Sequence, residues 1–244
     1  MTTDPVQRLT AHAAARDAWL DATTRQLQGD ERIAAVWLVG SLGQGGGDEW
    51  SDVDLALVVR DEDLPVLAER RRSVFSRFGE VLVAIDAPNA PAGGAYLGVA
   101  YAAGDLPLWV DWYLWPLSTA RRPNDARVLI ERAALPPPAA EPHAALLQRS
   151  RAADPQAVHD LFADPVDFTV AMVPVAAKYI ARGQPREANK LLGLLDRDAS
   201  NALGVREQLS ALRRILQRAE RTRPGTAVQA GAAVLDLTEQ LADR

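Results

Sequence analysis

Cysteine is absent from the 244 residues, and only three histidines, two methionines and two lysines occur. Without cysteine there is neither a disulfide framework nor a thiolate metal site. No apolar run approaches the ~18 residues of a membrane span, and the N-terminal stretch lacks a basic region followed by an apolar one, so neither membrane insertion nor secretion is expected. A cytoplasmic protein is the expectation, although absence of cysteine is compatible with any compartment. Basic stripes are missing too: residues 1–140 hold thirteen arginines and no lysine against nineteen acids. That balance disfavours a nucleic-acid backbone as partner. His12, His143 and His159 are scattered through helix or linker with no nucleophile beside them, and each reads as structural or exposed. No internal repeat or low-complexity tract is present. What remains is 48% hydrophobic and 24% charged, the composition of a packed globular chain.

One stretch carries most of the chemistry. An apolar run ends at Val39-Gly40-Ser41, a glycine-rich spacer runs from Leu42 to Ser51, and a second apolar run opens on Asp52-Val53-Asp54. Strand residues alternate faces, so Asp52 and Asp54 point the same way. Two acids side by side at the edge of an apolar core repel each other, and one stays protonated unless a cation compensates. Mg²⁺ suits such oxygen donors, particularly beside substrate phosphates. Gly40 lets the backbone come close to a ligand, Ser41 adds a hydroxyl, and successive N–H groups in such a loop form an anion-binding concavity. A hairpin loop with exposed acids is the competing explanation, because Asp-x-Asp alone is common.

The Gly-Ser, spacer, Asp-x-Asp order resembles the nucleotidyltransferase superfamily of DNA polymerase beta and the antibiotic nucleotidyltransferases. The resemblance is strong over residues 33–60 and looser elsewhere. It implies two Mg²⁺ ions, ATP or another nucleoside triphosphate as co-substrate, and transfer of a nucleoside monophosphate to a hydroxyl of a small, aminoglycoside-like molecule. Gln44 departs from the pattern, since relatives often carry a basic or aromatic residue soon after Gly-Ser.

Proline concentration divides the chain: Leu135-Pro136-Pro137-Pro138-Ala139-Ala140-Glu141-Pro142 excludes a continuous helix or central strand. The expected organisation is α/β (α+β), with a mixed-sheet nucleotidyltransferase domain over 1–135 and an all-α helical bundle over 143–244. Upstream, a helix begins at Asp4-Pro5 and stops near Gly29. Strands are expected at 34–39, 53–59, 81–85, 96–102, 106–115 and 127–130, with one helix over 64–78. Downstream the period becomes helical, with helices near 155–162, 165–182, 186–195, 206–220 and 227–242. Leu209, Leu212, Ile215 and Leu216 mark the buried stripe of one, and Val234, Leu235, Leu237 and Leu241 that of another.

Two-metal transfer needs a third carboxylate to hold the ion that activates the attacking hydroxyl. Asp111 is the leading candidate, because it interrupts a strand apolar on both faces and alternates in phase with Trp109 and Tyr113. Asp86 is the rival, although it stands at a strand end beside Ala87-Pro88, where acids serve turns. Lys178 and Arg182 lie at i, i+4 spacing, where like charges repel by about 0.2–0.5 kcal/mol, and a triphosphate would relieve them. Favourable interaction with a helix C-terminus before Gly183 explains them equally well. The resemblance implies a basic residue from the helical part on the nucleotide, which ranks Lys178 above Lys190. A general base stays unassigned between Glu131, Glu187 and none. Asp48 and Glu49 are either solvated or contacts to a cationic acceptor, and Trp37, Trp109, Trp112 and Trp115 read as sheet core or cleft wall. Two other classes remain open, a nucleotide-binding sensor without turnover and a protein-modifying adenylyltransferase. Oligomeric state is not legible.

Overall fold

The computed structural model describes residues 4–153, 164–197 and 204–242. Among them the chain forms a six-stranded mixed sheet and nine α-helices, and its C-terminal part is helical. Backbone contacts gather the described residues into two compact units, one drawn from Ala13–Tyr101 and Leu108–Ala163, the other from Met1–His12, Ala102–Pro107 and Asp164–Arg244. Helix α1, Pro5–Leu27, contributes residues to both.

The sheet is built from β1 (Ile33–Val39), β2 (Val53–Val59), β3 (Val81–Ile85), β4 (Ala95–Ala103), β5 (Leu106–Pro116) and β6 (Arg127–Glu131), in the order β3-β4-β5-β2-β1-β6. β2 and β5 run parallel, while β1 is antiparallel to both β2 and β6. The unbroken apolar runs explain the central positions. Every residue of β1 is buried, as is every residue of β2 except Asp54 and every residue of β5 except Asp111. A strand covered on both faces needs apolar side chains at both parities. The two exceptions are therefore the acids.

Each face has its own packing. On one, Trp112 stacks on Phe75 with ring centroids 4.2 Å apart, and Trp19 of α1 meets the Trp112 edge at 5.9 Å. Trp19 donates its indole N–H to the Phe78 carbonyl at 2.8 Å, so the polar tip of this partly buried ring is satisfied. The covering segment consists of α3 (Leu64–Glu69), α4 (Arg71–Phe75) and a 3₁₀ turn at Ser76–Phe78. One helix over 64–78 is the expectation, and the structure corrects it. Arg71 turns back to donate to the Ala68 carbonyl at 2.6 Å and to Asp86 at 2.6 Å, so a guanidinium takes over a carbonyl at the end of α3 where a helix would continue.

On the opposite face, Trp37, Val39, Ala56, Val58, Tyr113 and Trp115 form a cluster completed by Leu147. Leu147 belongs to α5, His143–Ala153, a helix that the proline-rich composition just before it hides. Contacts group α5 with the sheet, whereas the proline run at 136–142 divides the sequence ahead of it. A short helix α2, Gly40–Gly43, also goes beyond the expected loop.

The other unit contains α6 (Pro165–Ala181), α7 (Pro185–Leu195), α8 (Val205–Thr222) and α9 (Thr226–Ala242). α6 packs against the other three. Asp164 caps α6 by accepting from the Val166 and Asp167 amides, and Arg223 at the end of α8 pairs with Asp164 at 2.8 Å. Leu209, Leu212, Ile215 and Leu216 are buried as their spacing requires, and so are Val234, Leu235 and Leu237. The helix expected over 155–162 falls outside the described residues, as does His159.

Candidate active site

The parallel register of β2 and β5 sets Asp54 directly beside Asp111, with Val53 opposite Val110 and Leu55 opposite Trp112. Equal phase on neighbouring strands places both carboxyl groups on one sheet face, about 4.8 Å apart at the backbone. The sequence suggested Asp52 and Asp54 as the pair. Asp111, the third acid expected, lies in register beside Asp54, and Asp52 stands just before β2, partly buried.

Burial pushes the Asp54 carboxyl well above the ordinary carboxylate range, and the negative charges of Asp111 and then Asp52 push it further. Tyr113 opposes this weakly by donating its hydroxyl to Asp54 Oδ1 at 3.3 Å. Asp111 is held more firmly. Its Oδ1 accepts from the Tyr96 hydroxyl at 2.5 Å and from the Trp109 indole N–H at 2.9 Å. Burial, followed by the Asp111 charge, raises the Tyr96 and Tyr113 phenols well above their normal range, so both remain donors. Two donors on one carboxylate oxygen fix its direction and stabilise its charge.

Gly40 is where the loop meets this pair. Its φ of 65° lies in the left-handed region, and a Cβ there would stand 2.3 Å from Asp54 Oδ2. No other residue could bring the backbone so near the carboxylate. Ser41 donates its hydroxyl to Ser51 at 3.1 Å, and Ser51 donates in turn to Asp48 at 2.8 Å, which ties the two ends of the glycine-rich loop together. Arg16 from α1, itself buried, donates to the carbonyls of Asp48 at 2.7 Å and Ser51 at 3.2 Å. Gln44, the departure from the family pattern, donates to Asp125 at 3.0 Å, and Asp125 also accepts from the His143 amide at 2.9 Å.

The fold brings Gly40, Ser41, Asp52, Asp54 and Asp111 to one end of the sheet unit. Asp86 is not among them: its carboxylate pairs with Arg71 and Arg72, both at 2.6 Å, and although burial works against it, those guanidiniums hold it below the usual range. Lys178 and Arg182 belong to the helical unit. Lys178 is buried in the last turn of α6, and Arg182 follows the helix, its amide bonded to the Lys178 carbonyl at 3.0 Å. Sequence reasoning missed Tyr96 and Arg16. Alternation places Tyr113 and Trp109 in phase with Asp111, but nothing local signals a hydroxyl from β4 or a guanidinium from α1.

Among the described residues, no group of three or more His, Cys, Asp or Glu side chains forms a ready metal cage. The donor chemistry nonetheless fits a hard divalent cation. Two adjacent carboxyl groups share a site in which burial and their mutual repulsion disfavour the charge on Asp54, and Asp54 forms no ion pair among the described residues. A cation would remove the repulsion that raises Asp54. The arrangement is therefore suited to binding positive charge, or to exchanging a proton between two carboxyls. No family model matches the chain, and no curated protein is significantly similar to it.

Proposed function

We propose that this chain is a Mg²⁺-dependent nucleotidyltransferase of the DNA polymerase beta type, moving a nucleoside monophosphate, AMP from ATP, to a hydroxyl of a small aminoglycoside-like molecule. One observation carries the reading: Asp111 stands in register with Asp54 on a parallel strand, on the face that Gly40 reaches. The Gly-Ser to Asp-x-Asp signature is thus joined by an acid from the strand predicted to supply it. In this reading the sheet unit is the catalytic domain and the C-terminal helices are a separate helical domain.

Asp52, Asp54 and Asp111 would hold two Mg²⁺ ions. When bound, these would supply Lewis-acid activation of the acceptor hydroxyl and neutralisation of the triphosphate. Asp111 offers one oriented carboxylate, because Tyr96 and Trp109 fix its Oδ1. Gly40 would admit phosphate oxygens close to the backbone, while Ser41, bonded to Ser51, keeps that backbone in place. The acceptor oxygen forms a bond to the α-phosphorus as the bond to pyrophosphate breaks, and holding both in line is the main contribution the site makes. Lys178 and Arg182 would steady the phosphates, as the resemblance implies.

The test is incubation with Mg²⁺, ATP labelled at the α-phosphate, and a panel of aminoglycosides and lincosamides. Labelled small molecule with release of pyrophosphate is expected, reduced by about a hundredfold or more in Asp52→Asn and Asp111→Asn. Label on protein instead would indicate a protein-modifying adenylyltransferase. Nucleotide binding without pyrophosphate release would indicate a sensor.

A further inference from the structure

A cavity lies on the same face of β5, away from the carboxylates. It has a volume of about 250 Å³ and is bounded by the end of β5, the segment after it and α5. Trp115 forms its buried floor and Leu146 one wall, while Thr119 and Ser150 bring hydroxyls to it. Trp115 lies four residues beyond Asp111, roughly 13 Å at strand rise. Between them stands Tyr113, with the His143 ring edge-on to it at 4.5 Å and to Trp115 at 5.8 Å. The cavity is therefore separate from the Asp54–Asp111 pair.

Two guanidiniums face this cavity, and they are not equivalent. Arg149 is matched by Glu141, with contacts of 2.6 and 2.5 Å, so its charge is neutralised. Arg121 is exposed and forms no ion pair or hydrogen bond among the described residues. The site thus has one unmatched positive charge beside an aromatic floor. Size narrows the ligand further. An apolar cavity of about 150 Å³ accepts a benzene ring, whereas sites for larger ligands start at about 300 Å³. At 250 Å³ the space takes one ring and one substituent, and is small for a nucleotide.

We infer that this cavity is a binding site for a small aromatic monocarboxylate, its ring on Trp115 and its carboxylate on the Arg121 guanidinium. The fork of the guanidinium matches a carboxylate with two parallel hydrogen bonds, and Thr119 Oγ1 can donate a third. The inference does not depend on nucleotidyl transfer, because none of its residues belongs to the carboxylate site.

Calorimetric titration of the full chain tests it, with benzoate, benzyl alcohol, inorganic phosphate and AMP as probes. Benzoate should bind saturably, with benzyl alcohol and phosphate each weaker by about tenfold or more. Arg121→Ala should weaken benzoate by about tenfold while leaving benzyl alcohol unchanged. Ala92 is exposed at the cavity rim, so Ala92→Trp can block the cavity without disturbing the core, and it should abolish benzoate binding while the melting temperature holds. Absence of saturable benzoate binding would overturn the inference. So would equal affinity for phosphate, competition by AMP, or unchanged benzoate affinity in both variants.

Discussion

Asp54 and His143 are shifted by burial in opposite directions, and each shift has a measurable consequence. Asp54 sits among carboxylates, with its folded pKa above the ordinary 3.8. Between those values the folded chain binds more protons than the unfolded one, so stability falls as pH rises through that window. Asp54→Asn removes the cost of keeping an ionisable carboxyl buried beside two other acids. It should raise the melting temperature at neutral pH by a few degrees while abolishing the proposed nucleotidyl transfer, a trade between stability and function seen at strained sites. Calorimetry of the two proteins at neutral pH and at pH below 4 checks this, because the difference should vanish in acid.

His143 behaves oppositely. Burial is the main reason its imidazole falls to about 4, outweighing the Asp125 charge. Its Nε2 has no hydrogen-bond partner among the described residues, and the ring lies against Tyr113 and Trp115. The unfolded chain takes up this proton near 6.5 and the folded chain only near 4, so stability is complete above 6.5 and lost as pH drops toward 4. The loss from this one group is up to about 3 kcal/mol. Urea unfolding between pH 7 and pH 4.5 should show that loss in wild type, and His143→Phe should be correspondingly less sensitive.

The element that matters most is the β2–β5 pair. A slip of one residue would turn Asp111 to the face where Trp112 stacks on Phe75, and Trp112 into the site. The hydrophobic pattern of β5 therefore fixes the chemistry as well as the packing. Gly40 is the matching constraint on the loop. Gly40→Ala combines a left-handed φ with a methyl group 2.3 Å from Asp54 Oδ2, and should cost about 1–3 kcal/mol of stability in chemical denaturation while displacing the Asp54 carboxylate.

These elements also show which features the sequence makes readable. β2 and β3 have the bounds that alternation and apolar runs predict, and β5 extends only one residue further, to Pro116. Asp111 was identifiable because a lone acid in an otherwise apolar strand requires a reason. Other parts of the site were less so: Tyr96, which donates to Asp111, comes from β4, and Arg16, which holds the Asp48 and Ser51 carbonyls, comes from α1, so neither lies within a local period of what it binds. α5 escaped because four alanines and a histidine after a proline run resemble linker, and its pattern becomes meaningful only once Leu147 is seen on Trp37 and Trp115. The α3–α4 break escaped because an arginine side chain, rather than Gly or Pro, ends the first helix.

For the molecule as a whole, charge is distributed unevenly. Residues 1–140 carry a net −6 and residues 141–244 a net +1, within a formal total of −5. No helix among the described residues is long and apolar enough to cross a membrane. An acidic sheet unit would draw in a cationic acceptor through its long-range field, an effect screened beyond about 10 Å at 0.1 M salt. For an aminoglycoside acceptor, kcat/KM should therefore fall as ionic strength rises, whereas a neutral acceptor should show little change. Steady-state kinetics across a salt series would distinguish them.

The acceptor need not be known to test the centre itself. Mn²⁺ can be titrated by electron paramagnetic resonance in the presence of a non-hydrolysable ATP analogue, using wild type, Asp54→Asn and Asp111→Asn, with circular dichroism confirming that each is folded. Saturable, nucleotide-dependent Mn²⁺ binding in wild type, lost in both variants, is the predicted result. Wild type that binds no Mn²⁺, or variants that bind it as tightly, would contradict the assignment of Asp54 and Asp111 as the heart of a nucleotidyltransferase site.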